Sequence, residues 1–135
     1  MDSETRVQIN DEADILEARQ AARAIAGDLG FDLASQTLIA TAISELARNI
    51  LKYARSGEIL LRRTARNGAR GITIVAADKG PGIADTELAM TDGFSTGRGL
   101  GLGLPGTRRL MDDFDLVSEV GRGTTVTATR WTRRS

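Results

Sequence analysis

The chain has 135 residues, enough for one domain with a single core and too few for two. Its charges cancel, 18 basic against 18 acidic, which argues against a general nucleic-acid binder, since such proteins carry a basic excess. It contains no cysteine and no histidine, which excludes disulfides, thiolate and imidazole metal sites, Ser-His-Asp chemistry and phosphohistidine formed within the chain. Hydrophobic residues make up 41% of the chain and aromatics 4%, so the core must be mostly aliphatic. Arginine dominates the basic residues, and Lys52 and Lys79 are the only lysines. The first residues have no basic or apolar character of a leader, and no apolar run is long enough to span a bilayer. The expectation is a cytoplasmic protein with neither a nucleic-acid nor a membrane partner.

In chain order, Thr5 to Ile9 alternates as a short strand. Asn10 or Asp11 is placed to cap a helix from about Glu12 to Leu29, with Gly30 just past its end. Ile15, Leu16, Ala22, Ile25, Ala26 and Leu29 form its apolar stripe. Asp32 opens a second helix from about Leu33 to Tyr53, whose broad apolar face (Leu38, Ile39, Ala42, Ile43, Leu46, Ala47, Ile50, Leu51) marks it as central. Glu58 to Thr64 and Ile72 to Ala77 read as strands joined across Asn67-Gly68. The glycine-rich stretch from Ala84 to Gly103 has no clear period and reads as a loop or lid. Pro105 suits the first turn of a third helix reaching about Asp113. Leu116 to Val120, a turn at Gly121-Arg122-Gly123, and Thr124 to Arg130 complete a final hairpin. Hairpin-linked strands predict a mixed, largely antiparallel sheet with the helices on one face: an α+β, two-layer sandwich spanning residues 1–135 as one domain.

Three segments carry chemistry. In Asp78-Lys79-Gly80-Pro81-Gly82-Ile83, a carboxylate ends an apolar run and bare backbone follows. A flat base can lie against Gly80 and Gly82, and an exocyclic amine can donate to Asp78, whereas guanine turns an acceptor toward the same carboxylate. On the second helix, Glu45 and Asn49 are four residues apart and share a face. The pair is either a solvated polar edge or a site: Asn49 as a hard oxygen ligand for Mg²⁺, Glu45 as a general base. Lys52 stands within reach of phosphate oxygens if it is not a plain surface lysine, and Tyr53 either contacts the base or closes the core. Third, glycines alternate from Gly97 through Arg98, Gly99, Leu100, Gly101 and Leu102 to Gly103, just before a helix. Free backbone N–H groups there make an anion site, and mobile glycine suits a lid over phosphates. Gly101, Gly103 and Gly106 also fit G-x-G-x-x-G, but no strand precedes them and too little chain follows for a dinucleotide half-domain. Gly121 to Thr124 reads first as a turn, with the Thr124 hydroxyl able to reach the base-binding carboxylate.

These segments together resemble the GHKL superfamily of gyrase, Hsp90, histidine kinases and MutL. Glu45-Leu46-Ala47-Arg48-Asn49 is similar to its N box, Asp78 to Gly82 to its G1 box, Gly97 to Leu104 to its G2 box, and Gly123-Thr124 to its terminal Gly-Thr, in family order. The resemblance implies the Bergerat ATP-binding fold. Ser44 to Ile50, Asp92-Gly93-Phe94-Ser95-Thr96 and Gly103 to Phe114 narrow it to the small RsbT-type serine/threonine kinases of bacterial stressosomes. Such kinases phosphorylate STAS-domain scaffold and antagonist proteins, then switch partners to activate an effector such as a PP2C-type phosphatase. The resemblance implies that Asn49 ligates Mg²⁺, Glu45 is the catalytic base, and Asp78 binds the adenine amine of ATP. It also implies that Gly80, Gly82 and Thr124 shape the base pocket, and that the backbone from Gly97 to Gly103 cradles the phosphates; Lys52 and Ile83 join them as candidate nucleotide-binding residues. Arg98 stands where a small residue is usual, and either contacts phosphate or is solvated. The alternative of another class is an anti-sigma factor whose main act is nucleotide-gated sequestration. The exposed side of the first helix, with Glu17, Arg19, Gln20 and Arg23, is the candidate partner surface, against the reading of an ordinary solvated face.

Overall fold

The computed structural model describes residues 4–83, 90 and 103–132. The elements run β1 (Glu4–Ile9), α1 (Glu12–Leu29), α2 (Leu33–Ala54), β2 (Gly57–Arg66), β3 (Ala69–Asp78), α3 (Gly103–Leu110), β4 (Asp113–Glu119) and β5 (Gly123–Trp131).

Asp11 starts α1 through a reciprocal cap: its carboxylate accepts the Asp14 N–H at 3.2 Å, and the Asp14 carboxylate accepts the Asp11 N–H at 3.2 Å. Gly30 ends α1 in the left-handed region at φ 94°, where the Phe31 N–H donates to the Ala26 carbonyl at 3.0 Å. Asp32 then caps α2 by accepting the Ser35 N–H at 2.7 Å. That hydrogen bond holds the Asp32 carboxyl below the usual aspartate range. The buried stripe of α1 is Ile15, Ala18, Ala22, Ile25, Ala26 and Leu29. Leu16, expected on that stripe, is 52% exposed, because Ile15 and Ala18 already fill the arc facing the sheet.

The five strands lie in the order β1-β2-β3-β5-β4, and every pairing among the described residues is antiparallel, so the expected mixed sheet is wholly antiparallel here. The β2–β3 turn uses Asn67 at φ 50° and Gly68 at φ 82°, the left-handed pair that a two-residue hairpin needs. Strand alternation sends Val7, Ile9, Ile59, Leu61, Ile72, Ile74, Ala76, Val126 and Ala128 into one core with α1 and α2. The opposite face carries Arg6, Glu58 and Arg62 and a hydroxyl chain from Thr64 through Thr73 to Thr129.

The third helix ends at Leu110, three residues short of the expected end. Asp112 donates its N–H to the Thr129 carbonyl at 2.9 Å and accepts the Trp131 N–H at 2.7 Å, so the chain has joined the sheet before Asp113. Strand β4 therefore begins with Asp113 and Asp115 on the outer face and Phe114 and Leu116 inward. Alternation, not apolarity alone, sets where it starts.

One cross-strand row positions the rest. Ile9 pairs with Gly57, Gly57 with Asp78, Asp78 with Thr124, and Thr124 with Ser118. Residues directly opposite share a face of the sheet, so Asp78, Thr124 and Ser118 all stand on the helix side at one end of the molecule.

Candidate functional site

The base-binding candidate Asp78 closes β3, and its geometry is held by backbone donors. Its Oδ1 accepts the Gly80 N–H at 2.9 Å and the Thr124 N–H at 3.3 Å. Both bonds fall on one oxygen and orient the carboxylate. Thr124, four residues into the sequence motif at the final turn, is thereby brought to Asp78 from 46 residues away.

The glycines beside Asp78 have a second reason to be glycine. A Cβ on Gly80 would lie 2.6 Å from the Ala54 Cβ, so this loop packs directly on the last turn of α2. Gly82 has φ 80°, and a Cβ there would overlap the Glu119 carbonyl. Bare backbone is thus needed for protein packing, independently of any ligand. Gly82→Ala is expected to cost about 1–3 kcal/mol of backbone strain, plus a comparable overpacking term. The check is a thermal melt, and an unchanged Tm would show that the close approach is not maintained in solution.

Helix α2 carries the second half of the site. Successive residues turn by about 100°, so Glu45, Asn49 and Lys52 share one narrow side of the helix. Glu45 is buried at 8% exposure, Asn49 is half-buried and Lys52 is exposed. The Arg48 guanidinium donates to Glu45 Oε2 at 2.9 Å. Lys52 Nζ sits 5.1 Å from the centre of the Tyr53 ring. Tyr53 is 51% exposed, so it does not close the core. The two halves meet through Gly80 against Ala54, and through Ile50, which packs close to Gly57 in the Asp78 row.

Ile83 donates its N–H to the Ser118 hydroxyl at 2.7 Å. Gly103 opens α3 at φ 69°, and its carbonyl accepts the hydroxyl of the fully buried Thr107 at 2.9 Å. Gly97, Arg98, Gly99, Leu100, Gly101 and Leu102 lie outside the described residues.

The sequence of residues 34–133 matches the family model described as histidine kinase-, DNA gyrase B-, and HSP90-like ATPase. The chain is 50% identical to the serine/threonine-protein kinase RsbT of Bacillus subtilis, across 98% of this chain and 100% of that protein. The chain belongs to this ATPase family, among its RsbT-type serine/threonine-protein kinases. An anti-sigma F factor of Caldanaerobacter subterraneus is more distant, at 32% identity over 87% of this chain and 85% of that protein. In fold, the kinase is similar to a crystal structure of the RsbU and RsbW domains of a Mycobacterium tuberculosis protein. The TM-score is 0.61 at 19% identity, covering 97% of this chain and 34% of that longer one. The α+β Bergerat architecture and its ATP-binding character are thus those of the family.

Two residues beside the candidate site were not singled out from the sequence. Arg48 lies inside the Glu45–Asn49 segment, and its i,i+3 spacing from Glu45 was the available signal for the ion pair. Ser118 was legible only as a polar residue at an inward position of β4. No helix among the described residues is long and apolar enough to cross a membrane.

Proposed function

We propose that this kinase transfers the γ-phosphoryl group of Mg²⁺-bound ATP to a serine or threonine of a STAS-domain protein, and then engages an effector such as a PP2C-type phosphatase. The observation that carries the reading is the joining of α2 to the Asp78 row. Glu45 and Asn49 face one side of α2, and Gly80 seats the base-binding loop on that helix's last turn. A nucleotide with its adenine at Asp78 then has its phosphates over the Asn49 side.

The donor set fits Mg²⁺. Asn49 offers a neutral amide oxygen, and the described residues hold no cluster of three or more acidic side chains that would cage a metal by themselves. One protein oxygen, with phosphate oxygens and waters for the rest, is how Mg²⁺ is usually held in phosphoryl-transfer sites. The ion would neutralise charge on the phosphates during transfer.

The protein's own residues do the remaining work. Asp78 selects and anchors the base. Lys52, exposed at the end of α2, approaches the phosphates from the solvent side. Glu45 takes the proton from the acceptor hydroxyl as it attacks phosphorus. The glycine-rich sequence from Gly97 to Gly103 is assigned to the phosphates for its free backbone N–H donors. No histidine exists to accept phosphate within the chain, which rules out a phosphohistidine route, and the proposed acceptor is a hydroxyl of a second protein.

The test is radiolabelled ATP transfer to STAS proteins encoded beside this kinase, with Asp78→Asn as control. Label on a serine or threonine of the STAS protein supports the reading. No transfer, together with capture of a sigma factor as the main partner, would replace it with nucleotide-gated sequestration.

A further inference from the structure

The cross-strand row Gly57–Asp78–Thr124 ends on Ser118, a residue that none of the four motifs includes. Its hydroxyl meets three groups. It accepts the Ile83 N–H at 2.7 Å, donates to the Gly123 carbonyl at 3.1 Å, and lies 2.8 Å from the Thr124 hydroxyl.

A serine hydroxyl has one proton and two lone pairs. The Ile83 N–H can only donate, and the Gly123 carbonyl can only accept. Serving both consumes the Ser118 proton and one lone pair. What remains toward Thr124 is a lone pair, so the proton between the two hydroxyls belongs to Thr124. With its one proton spent on Ser118, the Thr124 hydroxyl has only lone pairs to offer elsewhere. Its neighbour across the strands, Asp78, is likewise an acceptor and is tied to it by the Thr124 N–H at 3.3 Å.

We propose that Ser118 is a specificity-determining residue for the nucleotide base: it fixes the Thr124 hydroxyl as an acceptor. Asp78 and the Thr124 hydroxyl, both turned to the 6-position of the base, then present acceptors alone, taking a 6-amino purine and refusing a 6-oxo purine. This rests on the assignment of Asp78 and Thr124 to the base pocket. Ser118 acts through Thr124 and is a positioning residue, not a contact to the reacting atoms. Without it, the Thr124 hydroxyl is released to rotate and donate to a 6-oxo group, so a carboxylate alone is left to discriminate.

The experiment measures the Kd of the full chain for ATP and for inosine triphosphate, both with Mg²⁺, in the wild type, Ser118→Ala and Ser118→Thr. The Kd ratio between the two nucleotides is expected to narrow about tenfold in Ser118→Ala, the worth of one hydrogen bond gained by the 6-oxo base. Ser118→Thr, which keeps the hydroxyl, should hold the wild-type ratio. Should Ser118→Ala not fold, Ser118→Cys fills the same space with only a weak donor and acceptor and gives the same comparison. In a Thr124→Val background, removing the Ser118 hydroxyl should leave the ratio unmoved.

A purely structural role for Ser118 loosens the pocket for both nucleotides together. An unchanged ratio in Ser118→Ala, or the same narrowing in the Thr124→Val background, overturns the proposal. Asp78→Asn separates this failure from a misplaced site. If Asp78→Asn shifts the ratio and Ser118→Ala does not, the Ser118 assignment alone is wrong. If neither shifts it, the base pocket itself is misassigned.

Discussion

Glu45→Ala is expected to bind Mg²⁺-ATP nearly as the wild type does and to transfer phosphate about 10²–10⁴-fold more slowly. The carboxylate sits on the buried side of α2 at 8% exposure, four residues before Asn49. Burial limits the solvent available to replace it as proton acceptor. Its pairing with Arg48 at 2.9 Å fixes the direction in which Oε2 points, leaving the orientation of the carboxylate little freedom. Glu45→Gln is the companion variant, since it keeps the packing of the side chain and removes the charge. Both should show the deficit in kcat at saturating ATP, in a transfer assay with a STAS acceptor. A wild-type rate in Glu45→Gln would end the general-base assignment and leave Glu45 as a structural partner of Arg48.

Asp78→Asn should weaken ATP binding by roughly 1.5–3 kcal/mol, tenfold or more in Kd, through loss of one charge-assisted hydrogen bond. The fold should survive. The amide oxygen of asparagine can take the place of Oδ1 and keep the bonds from the Gly80 and Thr124 N–H groups. The amide nitrogen then stands where Oδ2 was, a donor facing the amine of the base. Calorimetric titration with ATP and a thermal melt separate the two effects. An unperturbed Kd would sink the adenine assignment, while a lowered Tm with proportionate loss of binding would point to a failure of the row instead.

Much of the architecture was legible because local rules were obeyed. The α1 boundaries follow from Asp11 before the apolar stripe and Gly30 after it, one a cap and the other a left-handed stop. The β2–β3 hairpin follows from Asn67-Gly68, which tolerate the positive φ that the turn requires. The departures arise where neighbours decide. Leu16 is apolar and on a helix, yet exposed, because position on the wheel outweighs chemistry once Ile15 and Ala18 fill the interface. The end of α3 and the start of β4 are set by Asp112, whose hydrogen bonds go to Thr129 and Trp131 on a strand later in the chain. No local pattern around Asp112 contains that information.

The candidate site divides in the same way. The amino-acid sequence by itself determined the residue types and their order: a carboxylate beside glycines, an Asn one helical turn after a Glu, a glycine-rich segment, a terminal Gly-Thr, and no histidine to carry phosphate. Those follow from covalent spacing along single elements, which a helical or strand period converts directly into a shared face. Only the tertiary structure decided that Asp78, Thr124 and Ser118 form one row, because their meeting depends on the β1-β2-β3-β5-β4 strand order and its register. It also decided that Gly80 and Gly82 are needed for packing against Ala54 and Glu119. The physical reason is that register and close backbone approach are set by contacts between distant segments, and a sequence records the residues that make those contacts without recording which of them meet.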